Sequence, residues 1–339
     1  MYRKCTVSIL LALSLKLTSA LYGEEKISYD GYIETGWEYE NGETYCEIFS
    51  KAKLEFKFKL TEYIKGQIDL RANSNKREIE LREASALFKY NPDFLIKIGN
   101  LKKCFGIEEL MSHEEIYTIK KSVINQHLSP FGYVSRDPTI RIYRKYKNEG
   151  LPYSYNFQIS YNQSYQIIIN TRISHHNLWG LSDVGLDGIY QHATSGLKCE
   201  YPTQTFAVAL NFKKEKSSSY TDIEFFSGLD PIETQLSEFY GEEKNIIFLG
   251  TKLLSAYRFN IDNMVVKGIE PIFLFSYLSF DIERLDVNRI ESLFGINIYF
   301  DSDVRLRLNG DLISSNNRYN RKDRTLIGSW VGVGLQLKW

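Results

Sequence analysis

The chain has no apolar run of 18 residues outside its first twenty, only 7 prolines, and no excess charge, with 42 basic and 42 acidic residues among 339. The missing run excludes a membrane-spanning helix, which needs about 18 or more consecutive apolar residues. Balanced charge removes the positive field on which nucleic-acid binding depends, so no nucleic-acid partner is expected. No CxxC, HExxH, GxSxG or glycine-rich phosphate loop occurs. The short signatures of metal, nucleophile and nucleotide chemistry are therefore absent, and neither an enzyme nor a cofactor or metal site is expected. Of the five histidines, only Ser174-His175-His176 with Asp183 makes a conceivable catalytic or metal cluster. Its expected place is a turn, where exposed histidines need no function.

Cysteine is scarce as well. Cys5 falls in an amino-terminal segment that reads as a leader: Arg3 and Lys4, then an apolar run from Cys5 to Leu15, then Thr18-Ser19-Ala20 as a cleavage site. Residues 1–20 are read as this signal peptide and 21–339 as the mature chain. Removing it takes Arg3, Lys4 and Lys16 and no acid, leaving 39 basic against 42 acidic residues. Three cysteines remain, Cys46, Cys104 and Cys199, so at least one thiol stands outside any intrachain pair.

What the chain has in abundance is aromatic residues and alternation. Aromatics make up 14%, with 24 Tyr and 20 Phe, as expected where aromatic belts mark two membrane interfaces. Leu54, Phe56, Phe58 and Leu60 alternate with Lys53, Glu55, Lys57 and Lys59; Tyr153, Tyr155, Phe157, Ile159 and Tyr161 alternate with Ser154, Asn156, Gln158 and Ser160. Phe206, Val208, Leu210 and Phe212 share one face, as do Val304, Leu306 and Leu308. The carboxyl end repeats the pattern through Val331, Val333, Leu335, Leu337 and Trp339. Every second side chain can then face hydrocarbon while its neighbours face water, the pattern of a transmembrane barrel.

Strands are expected at 26–40, 48–60, 63–73, 82–90, 94–100, 139–147, 152–162, 165–174, 181–190, 194–201, 204–213, 245–258, 265–280, 290–300, 303–313 and 326–339. That gives an all-β, antiparallel transmembrane barrel of sixteen strands. Segments 101–138, 214–244 and 314–325 become long loops at one end. Asn91-Pro92-Asp93, Pro202-Thr203-Gln204 and Asp301-Ser302 become short turns at the other. The ninth strand, with Asp183, Gly185, Asp187 and Gly188, is the least regular.

Segment 101–138 is too long for an ordinary connection, and such loops are usually functional. Glu108 to Leu128 has helical spacing, with Ile116, Ile119, Val123 and Ile124 on one side. The expectation is an inward fold that narrows the barrel, apolar side against the wall and Lys120 and Lys121 toward the channel. The plainer alternative is an external loop helix.

The same region carries a resemblance. Ile98-Gly99-Asn100-Leu101-Lys102-Lys103-Cys104-Phe105-Gly106-Ile107-Glu108 is similar to the "vGxxKxPFGxE" pattern of the phosphate-selective porin family. Glu83-Ala84 to Lys89-Tyr90 resembles the strand before that pattern, and Arg136-Asp137 the "RD" after it. Cys104 stands where the family has Pro, and Pro138 where it tends to Leu. The resemblance implies a sixteen-stranded outer-membrane barrel of a Gram-negative bacterium, commonly trimeric, with an inward loop and a basic lumen that passes anions. It also implies that Lys102, Lys103, Lys120 and Lys121 sit nearest the narrowing.

Alternation adds Arg71, Arg141, Arg172, Arg305 and Arg307 to the inward face, and Arg136 precedes the next strand. With those four lysines they make the expected anion pathway, since cations in a low-dielectric wall raise the local anion concentration. Expected partners are outer-membrane lipid, small anions such as phosphate, and two further copies of the chain in a homotrimer. A barrel that serves only structure or adhesion, with a closed lumen, is the competing reading.

Overall fold

In the computed structural model the described residues run from 27 to 339, apart from 42–45, 76, 92, 148–149, 163–165, 194–203, 232–233, 235–244, 286–287 and 317–325. The expected leader and Cys199 lie outside them.

Alternation along each segment sets the architecture. In Gln204–Lys216, Thr205, Ala207, Ala209 and Asn211 are buried, whereas Phe206, Val208 and Leu210 are exposed. In Tyr153–Tyr161, Gln158 and Ser160 are buried between exposed Phe157 and Ile159. The exposed face is apolar and much of the enclosed face is polar, the reverse of a water-soluble core. Such strands are stable only where the outside is hydrocarbon and the sheet has no free edge.

The edge is closed. The strands are β1 (Ile27–Glu40), β2 (Glu47–Lys59), β3 (Ile64–Asn73), β4 (Glu78–Asn91) and β5 (Phe94–Lys102). Next come β6 (Arg136–Arg144), β7 (Tyr153–Tyr161), β8 (Gln166–Leu178), β9 (Leu181–Ala193), β10 (Gln204–Lys216) and β11 (Ser219–Leu229). The last are β12 (Ile247–Tyr257, continued by Phe259–Asn260), β13 (Gly268–Ser279), β14 (Asn288–Tyr299), β15 (Val304–Asn316) and β16 (Leu326–Lys338). Each pairs antiparallel with the next, and β16 returns to β1 with Trp37 opposite Val333. The result is a closed sixteen-strand barrel. Exposed Tyr29, Tyr63, Tyr90, Trp179, Tyr257 and Trp339 gather at the end that holds both strand termini, where an interfacial belt belongs.

The count of sixteen agrees with expectation through two offsetting differences. Residues 219–229, expected within a loop, form β11. Their inward positions carry Asp222 and Glu224, which look like loop residues until Lys252 of β12 is seen between them. The expected strand at 194–201 and Pro202-Thr203 of the expected turn lie outside the described residues, whereas Gln204, the third residue of that turn, opens β10. β9 pairs directly with β10, Ile189 opposite Ala207, where a further strand was expected between them. The irregular ninth strand is present because Asp183 and Asp187 face Arg172 of β8.

The long connection runs from 103 to 135, shorter than 101–138 at both ends, because Lys102 pairs with Arg136 in the ladder. It contains two short helices, α1 (Ile107–Leu110) and α2 (Val123–Leu128), where one helix over 108–128 was expected.

Candidate functional site

The reason for the broken helix is also what locates the segment. Backbone N–H groups along the segment are taken by side chains of the wall. Cys104 N donates to Gln158 Oε1 of β7 (2.9 Å), Gly106 N to Asp187 Oδ2 of β9 (2.8 Å) and Ile119 N to Asn309 Oδ1 of β15 (2.7 Å). Val123 N donates to Glu291 Oε2 of β14 (3.0 Å). Carbonyls are taken in turn by cations: Arg305 donates to the oxygens of Glu114 and Ile116 (both 2.9 Å), and Arg307 to that of Thr118 (2.9 Å). Contacts to strands so far apart around the barrel place the segment inside it. Buried backbone groups must be paired somewhere, and here the wall pairs them.

One arc of the interior is apolar. Phe105, Ile124, Leu128, Phe131, Tyr133 and Val134 of the segment pack on Ile168, Ile189, Ala207, Ala209, Phe226, Phe248 and Leu278 of the wall. Each large side chain so buried contributes on the order of 1.5–3 kcal/mol. Tyr133 completes the seat by donating its hydroxyl to the Leu229 carbonyl at 2.8 Å. Beside this cluster lie buried ion pairs. Lys252 contacts Glu224, Asp222 (3.3 Å) and Glu108 of α1 (3.9 Å), and Arg172 contacts Asp187 (2.9 Å).

The opposite arc is basic and open. A cavity of about 380 Å³ is lined by Lys51, Arg71, Arg82, Lys102, Lys120 and Lys121, with Glu109 the one acid among its described lining residues. Several of these cations have partners: Lys121 pairs with Glu109, Lys120 with Glu38 (3.3 Å), and Arg82 with Glu80 (3.2 Å). Lys120 also lies over the Trp330 ring at 4.3 Å. Lys102 donates to the carbonyls of Glu109 (2.9 Å) and Met111 (2.6 Å). No carboxylate among the described residues comes within 4.0 Å of Lys51 or Lys102. His113 of the segment sits at the same cavity, 3.2 Å from Glu34. Burial pushes its pKa down to about 4, so the imidazole is neutral at physiological pH.

A second cavity, about 440 Å³, opens toward the terminal end between Ser217, Ser302 and Asp303 of the short turns. Its described lining residues include five bases and five acids, with Tyr117, Tyr220 and Tyr299. The two chambers lie on either side of residues 111–117.

The structure thus brings together Arg71, Lys102, Lys120 and Lys121 of the expected pathway. The other members lie elsewhere. Lys103 is buried against Asp137 (2.7 Å), and Arg136 is bound to Glu83 (2.8 Å). Arg141 donates to the Lys102 carbonyl, and Arg172 is held by Asp187. Arg305 touches the terminal chamber while holding the segment, and Arg307 is fully buried against Glu34.

Lys51 and Arg82 were not among the expected residues. Lys51 shares the parity of Lys53 and could have been found by extending that alternation. Arg82 could not, because a bulge intervenes. The His-Ser cluster is built differently from expectation. Ser154, not Ser174, meets His176 Nε2 (2.7 Å), and Asp183 stands 3.6 Å from Nδ1, beyond hydrogen-bond reach. No cluster of three or more metal-ligating side chains occurs among the described residues.

No family model matches the chain, and no curated protein does. Solved structures do. The anion-selective porin of Comamonas acidovorans superposes with a TM-score of 0.64 at 10% identity, over 92% of this chain and 99% of that one. The fold is that of outer-membrane porins. The trimer form of OmpT from Vibrio cholerae gives 0.60 at 10% identity, over 92% and 99% of the two chains. The outer-membrane channel DcaP of Acinetobacter baumannii gives 0.61 at 9%, over 92% and 97%.

Proposed function

We propose that this chain is an outer-membrane porin of a Gram-negative bacterium through which small anions, phosphate among them, diffuse passively. In this reading residues 1–20 direct export and are removed. Residues 21–339 form the barrel, and the segment between β5 and β6 is its constriction. Three copies assemble, as in the trimeric form of the Vibrio protein named above.

The observation that carries the reading is the cavity beside the segment, with six bases to one acid among its described lining residues. The chain as a whole is neutral, so the excess is local. A field of one sign inside low-dielectric walls concentrates ions of the other. Arginine favours oxyanions through its planar fork, and lysine acts as a mobile point charge.

Planar-bilayer recording in a potassium chloride gradient tests this. Stepwise conductance with a reversal potential on the anion-selective side is expected, and phosphate should compete with the chloride current. A cation-selective reversal potential would remove the anion assignment. A second reading, a closed structural barrel, draws on the apolar packing of the segment over one arc. It predicts bilayers that stay silent.

A further inference from the structure

β4 departs from plain alternation at one point. Asp69 of β3 stands opposite Glu83 and Leu70 opposite Leu81, so Arg82 is an extra residue between the two pairs. A bulge of this kind re-aims a side chain. Ile79 and Leu81 are exposed on the outer face, and Glu83 points inward, where Lys97 and Arg136 bind it. Arg82 lines the same lumen cavities as Lys51, Arg71 and His113. Two consecutive residues therefore face the interior, and only the second has its charge neutralised on both sides.

The smaller of those cavities, about 180 Å³, is where Lys51, Arg71 and Arg82 converge beside His113. The Nε atoms of Arg71 and Arg82 are both buried and meet no acceptor among the described residues. Neighbouring acids engage only the tips of the two guanidinium groups: Glu80 lies 3.2 Å from Arg82 Nη1, and Asp69 is 3.7 Å from Arg71 Nη2. The Lys51 ammonium rests over the Phe49 ring at 4.7 Å. Three cations thus face two carboxylates, Glu78 and Glu80, in a cavity of small-ion size. A buried donor left unpaired is costly, and a guanidinium Nε–H with its Nη–H is the edge that matches two oxygens of one anion.

We propose that Arg71, Arg82 and Lys51 form an oxyanion-binding site in the lumen wall, created by the bulge at Arg82. The ligand class is a small anion presenting two or more acceptor oxygens, such as phosphate or a carboxylate. Glu78 and Glu80 at the cavity's edge oppose a high negative charge, which favours a singly charged oxyanion. As a station on the permeation path the site rests on the porin reading. As a binding site it stands alone.

The test uses calorimetric titration of inorganic phosphate into the detergent-purified barrel, with wild type, Arg82→Ala, Arg82→Lys and a deletion of Arg82. The deletion leaves Leu81 outward and Glu83 inward, so the barrel still forms, checked by heat-modifiable gel migration. Saturable binding is expected in wild type, weakened roughly tenfold or more in Arg82→Ala and in the deletion. Arg82→Lys should fall between, since it keeps the charge and loses the fork. Equal affinities in all four proteins, or no saturable heat in wild type, would overturn the site. The same variants in bilayers separate the two ideas. Arg82-dependent binding with silent bilayers keeps the site and removes the channel. Conductance with Arg82-independent binding keeps the channel and removes the site.

Discussion

Two arcs of the same barrel interior are built on the same alternation and do opposite things. From β8 to β13 the inward positions include Ile168, Ile189, Ala207, Ala209, Phe226, Phe248 and Leu278, and α2 with its flanks is packed on them. From β2 to β5 the inward positions include Lys51, Arg71, Arg82 and Lys102, and a cavity stands in front of them. Strand geometry fixes which side chains point in, and their chemistry decides whether that wall seats the segment or lines an open cavity. An apolar wall gains by excluding water. A wall of cations with too few acids must keep its water, because an unpaired buried charge is far too costly.

The comparison breaks most visibly if the seated segment is removed. Replacing residues 107–128 by a short Gly-Ser linker should leave the strand ladder intact and raise single-channel conductance severalfold. Unchanged conductance would show that the segment does not limit flow.

A second test sets one lysine from each arc against the other. Lys252→Met removes the cation enclosed by Asp222, Glu224 and Glu108, and breaking a buried pair costs about 3–5 kcal/mol. Lys51→Met removes a cation with open space before it and should stay within about 0.5 kcal/mol. Denaturant unfolding followed by tryptophan fluorescence measures both. Similar losses would mean that the two arcs are not the different environments described.

Charge on the open arc is sharpened by Lys120→Ala with Lys121→Ala. The pair should move the reversal potential toward zero with little change in stability, since both side chains are about a third exposed and exposed pairs contribute at most about 1 kcal/mol. An unmoved reversal potential would take these lysines out of the ion path.

Much of the barrel was legible because period-two alternation is a property of single strands. Phe206 to Phe212 and Val331 to Trp339 declare their faces with no knowledge of their neighbours. What was illegible depended on partners. β11 reads as a loop until Lys252 neutralises Asp222 and Glu224. The segment reads as one helix until wall residues such as Asn309 and Arg305 take its backbone groups. Of the basic cavity, Lys120, Lys121, Lys102 and Arg71 could be named in advance. Arg82 could not, since one inserted residue changes the face of everything beyond it and leaves no mark in composition.

The smallest expected effect lies where the arcs meet, at His113. Its ring faces Tyr32 and its Nε2 reaches Glu34, next to the fully buried Arg307. Burial holds the imidazole neutral down to about pH 4, while an unfolded chain binds that proton near pH 6.5. Between those values the unfolded state takes up more protons, so stability falls as the pH is lowered through this window and is unaffected by this group above it. His113→Gln, which can still donate to Glu34, abolishes the titration. Its unfolding midpoint should therefore drop less between pH 7 and pH 4 than that of wild type. An identical drop in both proteins would mean that His113 takes up its proton as readily folded as unfolded, and so is not enclosed between the segment and β1.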